Sequence, residues 1–365
     1  MGKWSAVGTI IALVVGAGVL GIPYVVVRAG FWNGFVQIFL IGSLMIVLNL
    51  FVGEIVLRTK GKHQLVELAK HYLGARFEKL MFITFMLGQY GALVAYLVGI
   101  KNILITLFGP WGLLATLLTF AALSLLLLMR LHMLADIETG LTIVMLILIG
   151  IIALSLFSQV DYMNFSVIGS APFSAYGVIL FSVMGFTIIP EVIRELKKKE
   201  ELVSVVFNAF LVIMLINALF AYVFVGVYGF DVAEIATNSL SGSLLYIGGF
   251  LVMSMLITSF LAIGLVLKDM FVTDLEVKKT KAWLFAIVPA YLFFFVARPD
   301  FINVLGIVGS FTAGIVGILV CWMVLRSRKR GNRKPEFVVP GGSALVYVLI
   351  GVLSLGVVWQ ALHLF

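Results

Sequence analysis

Two hexapeptides with the same pattern, G-x-x-x-I-P, occur far apart in long apolar stretches: Gly18–Pro23 and Gly185–Pro190. Proline lacks the N–H that would bond one turn back, and glycine costs about 1 kcal/mol relative to alanine within a helix. Each hexapeptide therefore predicts a helix interruption whose polar backbone groups no lipid can satisfy. Two broken helices at corresponding places are typical of the central site of a secondary transporter, although glycine and proline are also common in ordinary membrane helices.

Composition identifies the kind of protein that must position these hexapeptides. Hydrophobic residues make up 62% of the 365 residues and charged residues 12%, about half the charged share of a soluble domain. The sequence therefore predicts an all-α integral membrane protein. Cys321 is the single cysteine, so a disulfide within the chain is excluded. The net charge of +8 comes from basic residues in short loops, so we expect membrane lipid around the chain and no nucleic acid partner.

Apolar runs long enough to cross a hydrocarbon core of about 30 Å predict eleven transmembrane helices in a single transporter domain, residues 1–365. The predicted spans lie near residues 5–28, 33–57, 78–107, 112–130, 138–158, 172–195, 201–229, 243–267, 282–297, 301–325 and 343–363.

The basic residues predict the orientation of these spans. With the N-terminus in the cytoplasm, all Lys and Arg except Arg28, Lys101 and Arg298 fall on the cytoplasmic side. We therefore expect a plasma membrane protein, with the C-terminus outside, of a prokaryotic cell. Whether it is a monomer or a weak homo-oligomer is open.

Dividing the spans into two groups of five predicts an inverted repeat. Repeat 1 covers about residues 5–158 and repeat 2 about 172–326, and the span at 343–363 is an extra C-terminal helix. Because five is odd, the second repeat enters from the opposite side, which brings the broken helices 1 and 6 together at a pseudo-two-fold axis.

A short surface helix is predicted between spans 2 and 3. Residues 65, 66, 68, 69, 72 and 73 are apolar and recur at helical spacing, which is typical of an amphipathic helix lying on the membrane surface.

The segment Val15–Phe31, VGAGVLGIPYVVVRAGF, resembles the first helix of the amino acid/auxin permease family, within the amino acid-polyamine-cation superfamily and its LeuT-type fold. Residues 181–195 resemble the sixth helix more loosely. The resemblance implies a cation-coupled amino acid symporter working by alternating access. It implies a substrate carboxylate at the N–H groups of Gly16, Ala17, Gly18 and Val19, which agrees with the partial positive charge of a helix N-terminus. The ammonium group would meet carbonyls near Ala12, Leu13 and Val15, and near Phe181, Ser182 and Met184.

The same resemblance implies a sodium site in span 8. Thr258 and Ser259 would supply hydroxyl oxygens, and Ala12 and Val15 would supply carbonyls. The alternative is that both hydroxyls bond carbonyls within their own helix. Span 5 contains no lysine, which favours Na⁺ over one proton-coupled design of the superfamily, but both Na⁺ and H⁺ remain open. No other cofactor is expected.

The apolar end of the substrate would contact spans 3 and 6 and the glycine at 21. The predicted lining consists of Gly21, Gln89, Tyr90, Ala92, Tyr96, Phe181 and Phe186. Aromatic walls favour a neutral amino acid, apolar or aromatic, although aromatic residues at helical spacing also occur in ordinary cores.

Ionisable residues near the membrane have competing interpretations. Glu54 and Arg58 are four residues apart, which predicts an interfacial ion pair. Glu191 could gate the cytoplasmic route, titrate, or pair with Arg194.

Other classes of function are less well supported. The sequence contains no H-E-x-x-H, no G-x-S-x-G and no pair of mid-membrane aspartates, so an enzyme is not expected. An ion channel or a carrier of another small solute with the same fold remains the alternative, but interrupted helices at the midplane suit an occluding site better than an open pore.

Overall fold

A computed structural model describes residues 1–61, 63–128, 134–273 and 276–363, without the side chains of 134–139 and 273. The regular elements in these ranges are helical, as predicted. The α-helices are α1 Lys3–Val14, α2 Gly18–Ala29, α3 Phe31–Leu57, α4 Leu65–Leu73, α5 Ala75–Phe108, α6 Gly112–Leu126, α7 Leu134–Phe157, α8 Ala175–Ser182, α9 Ile189–Glu195, α10 Leu202–Tyr228, α11 Gly242–Thr273, α12 Lys279–Ala297, α13 Phe301–Ile307, α14 Gly314–Arg330 and α15 Gly342–Leu362.

Eight helical segments in the described ranges are long and apolar enough to cross a membrane, or nine if α1 and α2 count as one bent span. This number is lower than eleven for two reasons. α5 and α6 form one helical stretch of 52 residues through the 3₁₀ turn Gly109–Trp111, and α8 and α9 are each too short to span alone. The count of eleven and the inverted repeat stay predictions.

Both expected helix interruptions are present. The first interruption, residues 15–17, separates α1 from α2, whose axes differ by 66°. The second interruption, residues 183–188, separates α8 from α9. The hexapeptide Gly18–Pro23 itself is helical, which corrects the predicted position of the first break by a few residues.

A third irregularity was not predicted. Val308–Ala313 forms a π-helical segment between α13 and α14, and it packs against α8. Gly177 of α8 and Gly309 of the π-helical segment meet backbone to backbone, so a side chain at either position would collide with the other helix. This contact holds α8 against the π-helical segment. Such segments are rare and concentrate at functional sites.

The core of the bundle forms where α10 packs on α1, α2 and α3 and where α11 packs on α5. Leu154, Val296 and Leu355 are examples of large apolar side chains that point outward from α7, α12 and α15. Apolar exteriors on long helices are what a lipid environment requires.

The predicted amphipathic helix is present as α4, and its apolar face packs on protein. Its apolar residues Leu65, Leu68, Ala69 and Tyr72 are buried, and the helix packs on α5 and α14. The Tyr72 hydroxyl also lies 2.7 Å from the Thr59 hydroxyl. The periodicity correctly predicts an amphipathic helix, but protein covers its apolar face.

Candidate functional site

The first interruption leaves a set of main-chain groups without partners. In the part of the chain that the structure describes, the N–H groups of Gly16, Ala17 and Gly18 donate no hydrogen bond, and the carbonyls of residues 12–15 accept none. The carbonyls of Gly16 and Ala17 accept from Val19 and Leu20, at 3.1 and 3.2 Å. Three donors and four acceptors therefore lie free at the ends of α1 and α2, where helix termini concentrate partial charge.

The second interruption is longer. The Val183 and Met184 N–H groups still bond back to Ile179 and Phe181. Beyond them, the N–H groups of residues 185–188 have no hydrogen-bond partner among the described residues. Pro190 stands at the start of α9, where its missing N–H has no cost. This interruption again exposes backbone donors without any charged side chain.

The two interruptions touch each other. A Cβ atom at Gly18 would lie 2.6 Å from the Cα and 2.8 Å from the Cβ of Ser182. A Cβ atom at Gly185 would lie 3.2 Å from Val14 Cγ2. The end of α8 and the start of α2 thus approach so closely that only glycine fits at position 18.

α1 and α9 also meet, at the ends that face away from the interruptions. The Lys197 N–H, just past α9, donates to the Met1 carbonyl before α1 at 3.2 Å. A main-chain hydrogen bond therefore links α1 and α9 at the end opposite the interruptions.

Two buried asparagines border the second interruption, and sequence reasoning missed both. The Asn217 side chain of α10 donates to the Ser182 hydroxyl at 3.3 Å, and this hydroxyl donates to the Ile179 carbonyl at 2.8 Å. The Asn49 amide of α3 donates to the Met45 carbonyl, and its Oδ1 lies 3.6 Å from the place of a Cβ at Gly185. The Oδ1 atoms of both are buried without a partner among the described residues. The available signal was an asparagine within an otherwise apolar span.

The span 8 hydroxyls are placed differently from each other. Ser259 Oγ lies 3.8 Å from the position of a Cβ at Gly16, so it faces the first interruption. The Thr258 hydroxyl donates to the carbonyls of Ser254 and Met255 at 2.7 and 3.1 Å, which is the intrahelical alternative. The lone pairs of the Thr258 oxygen remain available to a cation, and the sodium site of Thr258 and Ser259 with the carbonyls of Ala12 and Val15 stays a prediction.

Of the residues predicted to line the substrate's apolar end, some lie at the second interruption and others lie in α5. Phe181, Met184 and Phe186 lie at the second interruption, with Phe186 buried and the other two half-buried. Tyr96 is buried in α5. Tyr90 donates its hydroxyl to the Phe285 carbonyl of α12, at 2.5 Å, and its contact with a substrate stays a prediction.

Gly21 has a packing role in this structure. A Cβ there would lie 2.8 Å from Ile302 Cδ1 of α13 and 3.4 Å from Val178 Cγ1 of α8. The close approach of α2 to α13 and α8 accounts for this glycine without any contact to a ligand.

The ion pair predicted for Glu54 and Arg58 is present, and Glu54 has further partners that were not predicted. Glu54 is fully buried, and Arg58 reaches its Oε1 at 2.9 Å. Arg328 of α14 donates to both carboxylate oxygens at 2.9 and 2.8 Å, and the Val339 N–H donates at 3.1 Å. This network joins α3, α14 and the segment before α15. Glu191 and Arg194 form an exposed pair at 3.4 Å.

A protein-family model matches residues 2–227 and 232–360, almost the whole chain. The chain belongs to the tryptophan/tyrosine permease family. No curated protein matches the chain closely. Membership of the tryptophan/tyrosine permease family makes the protein a membrane transporter of amino acids and excludes the enzyme class, as expected from the sequence. The resemblance to the amino acid/auxin permease family and its superfamily stays a prediction.

Proposed function

We propose that the chain is a secondary transporter of aromatic amino acids, with tryptophan and tyrosine as the first substrates to test, driven by symport of a cation. The observation that carries the proposal is the contact between two interrupted helices whose backbone donors and acceptors are unpaired. A zwitterionic amino acid presents the complementary groups. Its carboxylate accepts from the N–H groups of Gly16, Ala17 and Gly18 at the start of α2, and its ammonium donates to carbonyls at the end of α1 and at 182–187.

The absence of acidic side chains at the two interruptions is consistent with this substrate. A neutral zwitterion has no net charge, so main-chain dipoles balance its two ends and a buried carboxylate is unnecessary. Phe181, Met184 and Phe186 give the second interruption an apolar and aromatic surface for the substrate ring.

The proposed topology has eleven spans within the LeuT-type fold. α1 with α2 and α8 with α9 each form one broken span, α5 and α6 count separately, and α13 with α14 form one span through the π-helical segment. Five spans then precede α8 and five run from α8 to α14, which is the inverted repeat, and α15 is the extra helix. The charge distribution of the loops supports a plasma membrane protein with a cytoplasmic N-terminus and an external C-terminus.

The coupling ion is Na⁺ in the first form of the proposal. Ser259 Oγ near Gly16 supports it, because two hydroxyls and two carbonyls supply oxygen ligands to a hard cation. Proton coupling is the alternative outcome of the ion experiments.

Uptake by purified protein in proteoliposomes tests the substrate. Radiolabelled tryptophan should enter in a saturable manner, and tyrosine should compete more strongly than leucine or glutamate. Trans-stimulation by internal tryptophan should accelerate uptake, which a channel does not show. Flux that rises linearly with tryptophan concentration, or preferred uptake of a non-aromatic solute, would refute the proposed function.

A further inference from the structure

An open cavity of about 290 Å³ lies at the C-terminal end of α5. The loop between α10 and α11 lines one side of it, and part of this loop, Ala236–Ser239, packs against α2 and α11. The cavity lining consists of Asn102, Ile105, Thr106, Ala233, Glu234, Ile235 and Asn238.

Oxygen atoms dominate the polar part of this lining. Glu234 contributes a half-buried carboxylate, and Asn238 contributes an amide whose Oδ1 is buried without a partner among the described residues. The Thr106 hydroxyl donates to the Asn102 carbonyl at 2.9 Å, which leaves its lone pairs available. Oxygen atoms of this kind accept hydrogen bonds from a cationic donor.

The local charge also favours a cation. Burial and the neighbouring Asp300 carboxylate raise the pKa of Glu234, while the backbone N–H groups of Phe301 and Ile302 and the Lys101 ammonium oppose that rise. Near Glu234, Asp300 therefore adds a second negative charge and Lys101 one positive charge, although the chain as a whole has a net charge of +8. A single added positive charge balances this group.

The volume of the cavity favours an organic cation over a metal ion. A cavity near 300 Å³ is at the lower end of the range for small-molecule sites, and it is far larger than a metal ion needs. Ile105, Ala233 and Ile235 supply an apolar wall beside the oxygen atoms.

We infer that this cavity is a second binding site for the amino acid substrate, with Glu234 and Asn238 receiving its ammonium group and the isoleucines contacting its side chain. The inference rests on the proposed function, since it assigns the same substrate to a second place. The loop that carries both polar residues packs on α2, the helix that begins at the first interruption.

The test compares Glu234→Gln with Asp231→Asn in proteoliposomes. Glutamine keeps an oxygen that can accept from Phe301 and Ile302 but removes the charge, while Asp231 is an exposed acid of the same loop outside the cavity lining. Glu234→Gln should raise the KM for tryptophan about tenfold, equivalent to about 1.4 kcal/mol, with little change in maximal rate. Asp231→Asn should leave both values within twofold.

Two analogues identify the group that is bound. Tryptamine has the ammonium but no carboxylate, and indole-3-propionate has the carboxylate but no ammonium. The inhibition constant of tryptamine should rise in Glu234→Gln as much as the KM of tryptophan, while that of indole-3-propionate should not rise. Asn238→Ala should raise the tryptophan KM about threefold, and it serves as the second variant if Glu234→Gln does not fold.

The outcomes separate the two proposals. Saturable tryptophan uptake by the unmodified protein with an unchanged KM in both cavity variants would overturn this inference and leave the proposed function intact. A changed requirement for Na⁺ or Mg²⁺ with an unchanged tryptophan KM would assign the cavity to a metal cation and also overturn it. Failure of the unmodified protein to take up any aromatic amino acid would overturn the proposed function and this inference with it.

Discussion

The interrupted helices and the Glu54 network are both polar and both buried, yet they differ in whether their polar groups have hydrogen-bond partners. At the interruptions, N–H groups and carbonyls lie unpaired next to apolar side chains. At Glu54, both oxygens of the carboxylate are paired by Arg58, Arg328 and the Val339 N–H. Since an unpaired buried polar group costs about 1–3 kcal/mol, the proposed function assigns the missing partners of these groups to a bound substrate. A saturated network indicates a structural connection between helices.

The largest effect should come from filling the contact between the interruptions. Gly18→Leu should reduce tryptophan uptake to background, because even a Cβ at this position would lie 2.6 Å from Ser182 Cα. Gly8→Leu is the matched control, since the space around a Cβ at Gly8 in α1 is open. Uptake is measured in proteoliposomes after equal membrane insertion is verified. Normal transport by Gly18→Leu would remove the first interruption from the site.

Substitutions in the Glu54 network should instead lower the free energy of unfolding. Glu54→Leu leaves Arg328 without its partner and should lower the free energy of unfolding by about 3–5 kcal/mol. Arg328→Met in addition should restore part of this loss, because it removes one of the two guanidinium charges that Glu54→Leu leaves without a partner, while Arg58 keeps the other. Glu191→Leu breaks an exposed pair and should cost less than about 1 kcal/mol. Thermal unfolding in detergent compares the three variants, and equal losses for Glu54→Leu and Glu191→Leu would contradict this account.

The ion site should show an intermediate effect on transport. Ser259→Ala and Thr258→Val each remove one oxygen ligand and should raise the sodium concentration for half-maximal uptake about tenfold, or about 1.4 kcal/mol. Ser254→Ala is the control, since its hydroxyl bonds the carbonyls of Phe250 and Leu251 within its own helix. Uptake indifferent to sodium but driven by a pH gradient would identify protons as the coupling ion.

Among the substitutions of predicted site residues, the smallest effect on transport is expected at Tyr90. Tyr90→Phe removes the hydrogen bond to the Phe285 carbonyl and should cost about 1 kcal/mol of stability, with the tryptophan KM unchanged within twofold. A tenfold rise in KM would return Tyr90 to the substrate site that its position in the sequence predicts.

The sequence predicted features that depend on local chemistry. Glycine and proline marked both interruptions, apolar runs marked the long helices, and the spacing of Glu54 and Arg58 marked their pair. The first interruption nevertheless falls at 15–17 rather than within Gly18–Pro23, because α2 accommodates Pro23 inside its helix. Glycine therefore indicates that break better than proline does.

Features that depend on contacts between distant segments could not be predicted in this way. Arg328 reaches Glu54 across 274 positions, and Asn217 reaches Ser182 across 35. The packing of α4 on α14, the role of Gly21 against α13 and the direction of Tyr90 likewise depend on which helices become neighbours. Periodicity identifies the face of a helix that is covered, but it does not identify the segment that covers it.

The main chain between α1 and α2 has a mechanical consequence. No hydrogen bond in the described ranges bridges the two helices across residues 15–17, so covalent bonds alone join them there. A tilt of α1 relative to α2 would therefore break no hydrogen bond within either helix. Since the Lys197 N–H bonds the Met1 carbonyl, we expect such a tilt to move the start of α1 together with the end of α9.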